Sequence, residues 1–402
     1  MKIGMVLDHY FPPDDRVEKE AQALIGSDNE VFLLCLRRNF REKSEINYKG
    51  VTLYRIYIPY GIIKKLRALT NTIFNFYPYL WAFFINKMVK RHQIDVLHIH
   101  DLYMFSSAFT YKKISDNKIP LIGDLHENFA EGLKHYKFSN SFPGNILISI
   151  KKWEKSEIEW SHKMDHILTV IEEAAKRYQS LGIPPEKIHV VANYVDIDEY
   201  LSQHVIAEIT EKFKNYFNLT YTGAFDLHRG LEGVVNSLPG LLEEGSDIRL
   251  VLAGGGSNEK NMMEQAKNLG VFDKIFFEGW QKRKNFYSYI KASDICLVPH
   301  LKTVHTDNTI PHKLFHYMLL KKPVIVSDCT PLSRIVRDAD CGLIFQSNNV
   351  EDFIIQVKKL YNDPEMRERF GENGYKAVHN KYNWDFTKLE LVNLYKKIAV
   401  SS

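Results

Sequence analysis

Short apolar runs bounded by turn residues alternate with stretches of helical period along almost the whole chain. That alternation predicts α/β layers built on parallel sheets. In the first half the expected strands are Ile3 to Leu7, Val31 to Leu36, Val51 to Ile58, Asp95 to Ile99, Leu121 to Asp124, His166 to Val170 and Ile188 to Val191, with an amphipathic helix over Asp14 to Ile25. The polar turn ANYVDIDEY follows, and then the pattern restarts. Strands are expected at Phe217 to Thr222, Ile248 to Ala253, Lys274 to Glu278, Ile295 to Val298, Val324 to Val326 and Gly342 to Phe345, with helices over Leu231 to Glu243 and Asn258 to Leu269. Three helical stretches close the chain, at Val350 to Tyr361, Pro364 to Asn380 and Trp384 to Ala399. The reading is two similar α/β halves joined near residue 195, with a ligand expected in the cleft between them.

A length of 402 residues suits two such domains. The formal net charge of +4 is too small to argue for nucleic acid as a partner. Four widely separated cysteines without a C-x-x-C pair fit a reduced, cytoplasmic protein. The opening MKIGMVLDHYF reads as a first strand, since aspartate interrupts an apolar run too short for a signal peptide. Charge is unevenly spread in one place. Residues 60–92 hold six Lys/Arg and no acid, and Leu66, Leu69, Ile73, Tyr77, Leu80, Trp81, Phe84 and Met88 follow helical spacing. The apolar part falls short of the ~20 residues a membrane span needs. It is either a core helix with solvated basic ends or a helix lying on an anionic membrane surface, aromatics down and lysines flanking, and the one-sided basic bias favours the second.

The first strand-to-helix loop, DHYFPPDDR, contains no glycine, which argues against a nicotinamide-binding fingerprint or a phosphate-binding P-loop. Asp8 and His9 end the strand as solvated turn residues or as substrate contacts. Asp14 and Asp15 form the helix N-cap region, leaving Arg16 to face the cleft. In DVLHIHD, His98 and His100 share one strand face; a metal could use them with His126, but the plainer reading packs His98 and leaves His100 at the strand end. His126 and Glu127 stand just past a strand at the same edge. In the second half, YTGAFDLHRG offers Gly223 for a close turn and Arg229 at a helix start, where an anion would suit it. LAGGGSN repeats strand, glycine turn and helix with Gly254 and Gly255. Trp280 is either a stacking platform for a base or a packed tryptophan. From Ser293 to Asp328 the sequence predicts strand, polar loop, a helix opening at Pro311 and strand, with Lys313 one turn inside an anion seat. The D-x-D pairs Asp196/Asp198 and Asp338/Asp340 fall in turns, so no metal is expected.

Taken together, FPPDDRVEKEAQAL, DLHENF, VVANYVDIDEY, YTGAFDLHRG, LAGGG and PHKLFHYMLLKKPVIVSD resemble the retaining GT-B glycosyltransferases of glycosyltransferase family four, over nearly the whole chain. The resemblance implies two Rossmann-like α/β/α domains facing each other across a cleft. Residues 1–195 would bind the acceptor, 196–382 the nucleotide-sugar donor, and the helix in 383–402 would cross back to the first domain. It further implies metal-independent transfer from a nucleotide sugar with retention, in which Arg229 and Lys313 stabilise the leaving diphosphate and His126 contacts the donor sugar. Gly223, Gly254, Gly255, Trp280, Asn308, Thr309, Ile310 and His316 would line the donor, and Asp8, Asp15, Arg16, His100 and Glu127 the acceptor side. A lipid-linked saccharide acceptor in bacterial surface polysaccharide synthesis, met at the inner face of the cytoplasmic membrane, completes the expectation. Three departures from the family pattern stand out. Asn308 and His316 occupy positions where the family commonly has glutamates, and Ala224 one where it has a basic residue. They keep open a catalytically silent nucleotide- or membrane-binding partner of another transferase; a GT-B nucleotide-sugar epimerase, which shares the fold but would need paired carboxylates across the cleft, is the other alternative.

Overall fold

The computed structural model describes residues 1–72, 74–126, 128–135, 144 and 148–401. It divides into two compact units, Met1–Ala192 with Thr387–Ser402, and Asn193–Phe386. The first carries an eight-stranded sheet of β1 (Lys2–Tyr10), β2 (Glu30–Leu36), β3 (Glu45–Tyr48), β4 (Val51–Ile56), β5 (Val96–His100), β6 (Leu121–Leu125), β7 (His166–Thr169) and β8 (Ile188–Val190), in the order β3-β4-β2-β1-β5-β6-β7-β8. Strands buried on both faces explain the continuous apolar runs: every residue of β5, and all of β2 after Glu30, is buried.

The sequence pattern missed β3, which pairs antiparallel with β4 at the sheet edge. Its four residues are only partly buried, so no apolar run marks it. The hairpin is made by Lys49 and Gly50, both at positive φ, as a two-residue turn requires.

The second unit has a wholly parallel sheet of β9 (Phe217–Thr222), β10 (Ile248–Ala253), β11 (Ile275–Phe277), β12 (Ile295–Val298), β13 (Val324–Ser327) and β14 (Gly342–Phe345), ordered β11-β10-β9-β12-β13-β14. In each sheet the direction of winding reverses once, between β1 and β5 and between β9 and β12. Ligands of open α/β sheets bind outside the carboxyl ends of the strands at that reversal.

The structure departs from two expectations. The helix expected at Pro311 begins at Lys313 and runs only to Leu319. Thr309 is extended, and the N–H groups of Leu314 and Phe315 reach back three residues to Pro311 and His312, so the start is a tight turn that consumes its own donors. Lys313 is thus the first helical residue rather than one turn inside. The second correction concerns residues 60–92, which form helices Tyr60–Ala68 and Tyr77–His92. Tyr77, Trp81 and Met88 lie in the core, with Leu66, Leu80 and Phe84 packed against it, and Ile73 lies outside the described residues. The stripe expected to face lipid therefore faces the sheet. The exposed aromatics are a different set: Tyr60, Phe74, Phe76, Tyr79 and Phe83. Along the solvent face of Tyr77–His92, Tyr79 and Phe83 give way to exposed Lys87, Lys90 and Arg91.

The last helix, Trp384–Ser401, joins the first unit from Thr387 onward. Its Leu391, Leu394, Tyr395 and Ile398 are buried, and the Thr387 hydroxyl accepts from the Ala192 N–H at 2.7 Å.

Candidate functional site

Chemistry-bearing side chains gather at the carboxyl edge of each sheet. In the first unit the hub is Asp124, near the end of β6 and fully buried. Its carboxylate accepts from Arg16 Nε at 2.9 Å and Arg16 Nη2 at 2.6 Å, and pairs with His100 Nδ1 at 3.0 Å and His126 Nε2 at 2.7 Å. Arg16 also donates to the Val191 carbonyl at 2.8 Å and lies 2.9 Å from Glu20 Oε1, one helical turn on. His98 stacks on His100 with ring centroids 4.6 Å apart. Its Nδ1 lies 2.9 Å from the Tyr395 hydroxyl.

Burial opposes every charge here, so the partners decide. Burial would raise the Asp124 carboxyl, but Arg16 and His126 outweigh it and hold it well below the usual carboxylate range. Burial would lower His126, but Asp124 and Asp101 outweigh it and push it up to about 10. The His126 imidazole is thus a cation at neutral pH. Burial pushes Glu20 up and His98 down, so both favour the neutral form. Glu20, His98, His100 and Asp124 also have ligand atoms within 4.8 Å of one another, the spacing of a metal site. The Arg16 guanidinium, however, already lies against both carboxylates, and a second cation there would meet its charge directly.

The structure places the expected acceptor-side residues mostly behind this hub. Asp8 is buried and bound by Arg67 Nε at 2.7 Å and by the Tyr77 hydroxyl, rather than being a solvated turn residue. Arg16 is buried against Asp124 instead of facing outward, and His100 is wholly enclosed. Asp14 is the N-cap, accepting from the Val17 N–H at 3.1 Å, and Asp15 stands half-buried in the first turn. Glu127 lies outside the described residues. Of the hub's ring, only His126 reaches solvent, with 22% of its side chain exposed.

The second unit gathers two cations. The Lys313 ammonium lies 3.5 Å from the centroid of the Tyr221 ring, close against the backbone of Gly223. The helix that carries it is pinned to the end of β9, where the Tyr317 hydroxyl meets the Thr222 N–H and Oγ1, each at 3.0 Å. Glycine is required where the two turns meet. A Cβ on Gly254, at φ +153°, would stand 1.8 Å from the Gly223 carbonyl oxygen. Arg229 Nη1 lies 3.1 Å from His300 Nε2. Burial, with Arg229 and Lys313 nearby, holds His300 well below the ordinary histidine range, so it accepts from the guanidinium. Burial and Arg229 likewise hold Lys313 well below the usual lysine range. Among the described residues neither cation forms an ion pair with a carboxylate. That leaves an anion as the fitting occupant.

Around them, Trp280 is 70% exposed, with one ring edge against Gly255. Asn308 ends a short 3₁₀ turn and donates to the Val304 carbonyl at 2.8 Å; Thr309 Oγ1 donates to the His305 carbonyl at 3.1 Å, and Ile310 is buried. His316 stacks on Tyr200 at 4.0 Å with an 11° interplanar angle. Asp196 is a helix N-cap and Asp338 pairs with Lys381. Sequence reasoning missed Glu20, Asp124, Tyr395, Tyr221 and His300. The i, i+4 spacing of Arg16 and Glu20 on the apolar face of their helix is the one signal that could have flagged the buried hub.

Residues 16–199 match the model of Glycosyltransferase Family 4, and residues 202–377 that of Glycosyl transferases group 1. The chain belongs to this glycosyltransferase family. A glycosyltransferase of Methanocaldococcus jannaschii without a characterised activity is 22% identical over 98% of both chains. The phosphatidyl-myo-inositol mannosyltransferase of Mycobacterium leprae is 21% identical, over 76% of this chain and 74% of that one. Among solved structures, sucrose-phosphate synthase from Thermosynechococcus elongatus superposes with a TM-score of 0.78 at 14% identity over the full length of both. The glycosyltransferase has the GT-B fold, with two Rossmann-like units, and uses a nucleotide-sugar donor.

Proposed function

We propose that this glycosyltransferase moves a hexose, with retention of anomeric configuration, to a lipid-linked saccharide during bacterial surface polysaccharide synthesis. The observation that carries the donor side is the acid-free pair Arg229 and Lys313 beside the Gly223 and Gly254 turns. Two protein cations there offset the charge of a leaving diphosphate, so the reaction needs no divalent ion. Gly255 and exposed Trp280 offer a surface for the base, and Asn308 and His316 supply hydrogen-bonding groups where the family commonly has carboxylates.

Retention agrees with the charge of His126, which removes that one histidine as a base. An inverting displacement needs a general base for the acceptor hydroxyl. His126 is already protonated at neutral pH and serves as a donor to a sugar oxygen. A panel of nucleotide sugars incubated with membrane extract and EDTA tests the reading. The expected result is transfer from one hexose donor, undiminished by the chelator, into an α- or β-linkage matching the donor's. An inverted product, or no turnover of any donor by folded protein, would overturn it.

The acceptor side rests on the surface of residues 60–92. Exposed Phe74, Phe76, Tyr79 and Phe83 border Lys87, Lys90 and Arg91, and no acid lies in the segment. Aromatics at the headgroup level with lysines beside anionic lipid are the chemistry of peripheral attachment. Among the described residues no helix is long and apolar enough to cross a membrane. Wild-type protein is expected to cosediment with vesicles containing phosphatidylglycerol and not with pure phosphatidylcholine. Replacing Phe76, Tyr79 and Phe83 by serine should weaken that binding at least tenfold, and high salt should weaken it further.

A further inference from the structure

The buried hub of the first unit extends beyond what binding a sugar through His126 requires. Three rings form a column. Tyr395 and His98 lie 6.2 Å apart and His98 and His100 4.6 Å apart, each pair at 24° between planes. Hydrogen bonds join the column at both ends, and stacking alone joins His98 to His100. Tyr395 meets His98 Nδ1 at 2.9 Å, His100 Nδ1 meets Asp124 at 3.0 Å, and Asp124 meets His126 at 2.7 Å. Every member but His126 is buried, and the last helix supplies the far end.

We propose that Tyr395 and His98 are positioning residues, through which the last helix fixes the orientation and tautomer of the ring stack that holds His126 toward a ligand. The inference rests on the reading of His126 as the group that meets the donor sugar.

The chemistry follows from donor counting. His98 Nε2 faces Glu20 Oε2 at 3.6 Å, and its Nδ1 faces the Tyr395 hydroxyl. A neutral imidazole has one donor and one acceptor nitrogen. With the tyrosine O–H donating to Nδ1, the proton of His98 sits on Nε2, toward Glu20. The Tyr395 bond and the surrounding packing oppose rotation of the ring, whose face stacks on His100. His100 must keep its own proton on Nδ1 to donate to Asp124, because a bare Nδ1 would set a lone pair against the carboxylate. Asp124 accepts from Arg16, His100 and His126 together, so a turned His100 ring opens a gap on the oxygen that holds His126. Of this chain of contacts only the last member, His126, reaches solvent.

Tyr395→Phe removes one hydroxyl and keeps the ring, and His98→Gln serves as a second variant should the first fail to fold. Two measurements are made on each folded variant, with melting curves as control. The first is the 15N-histidine spectrum of the full chain, with the His126 signal assigned by His126→Gln. Tyr395→Phe is expected to shift or broaden the His126 signal at neutral pH. The second is turnover of the nucleotide sugar found in the donor panel. A five- to twentyfold fall in kcat with KM for the donor within about twofold is expected, and no further fall when Tyr395→Phe is added to His126→Gln. Unmoved His126 resonances, or losses that multiply in the double variant, would overturn the proposal. Full activity of His126→Gln alone would instead sink the reading of His126, leaving the spectra to decide whether Tyr395 orients it.

Discussion

Arg229→Ala should lower turnover by about 10²–10³, the cost of removing one preorganised donor from a site where charge develops. Its guanidinium is held by the His300 acceptor at 3.1 Å and by a loop closed between Asp226 O and the Arg229 N–H at 2.9 Å, so little reorganisation is needed when an anion arrives. Lys313→Met should cost a similar factor, with a further signature in pH. In the free protein the Lys313 ammonium is disfavoured by burial and by Arg229. A bound diphosphate supplies the missing counter-charge and raises its pKa, so binding takes up a proton wherever the pH lies between the free and bound values. Affinity for a nucleoside diphosphate should therefore fall as pH rises through that interval. Calorimetry in two buffers of different ionisation enthalpy measures the uptake directly. Wild-type uptake that persists undiminished in Lys313→Met would show that the proton goes elsewhere.

Asp124→Asn should be the most destabilising single change in the first unit, by roughly 3–5 kcal/mol, because it strips the buried Arg16 cation of its two-pronged partner and leaves it only Glu20, which burial pushes toward the neutral form. Denaturant melts of the two proteins at neutral pH test this, and a loss under about 1 kcal/mol would show that the hub is not an ion-pair core. The pH dependence has two arms. Asp124 is held below its unfolded value, so its contribution is complete above about pH 4 and is lost as pH falls through the lowered folded value. His126 is raised to about 10, so its contribution is complete below about pH 6.5 and is lost progressively up to the folded value. Both arms should flatten in Asp124→Asn, since each is anchored on the same carboxylate.

The architecture was legible because buried parallel strands write themselves as unbroken apolar runs. Six of the predicted elements, among them Phe217–Thr222, Ile248–Ala253 and Pro364–Asn380, have the boundaries read from sequence. β3 was illegible for the opposite reason, as a half-exposed edge strand carries no periodic signal. The site was legible where one loop holds its own logic, as in the glycine turns and Arg229. It failed where position depends on partners far along the chain. Asp8 and Arg16 sit at strand and helix ends that look open in sequence, yet Arg67 and Asp124 turn both inward. The aromatic stripe of Tyr77–His92 failed in the same way, since helical spacing identifies an apolar face but not what covers it.

The division of the chain has a consequence for how the protein is made. A nascent chain emerges from its amino end, and domains ordinarily fold in that order. Here the first unit lacks its last helix until residues 387–401 have been synthesised. Until then the Ala192 N–H has no threonine hydroxyl and His98 Nδ1 no tyrosine hydroxyl. The uninterrupted stretch Asn193–Phe386 is complete sooner, so the first unit synthesised is the last to be finished. A stop codon falling after β14 and before Thr387 would leave the second sheet whole and truncate the first unit, about two hundred residues along the chain from the rest of it.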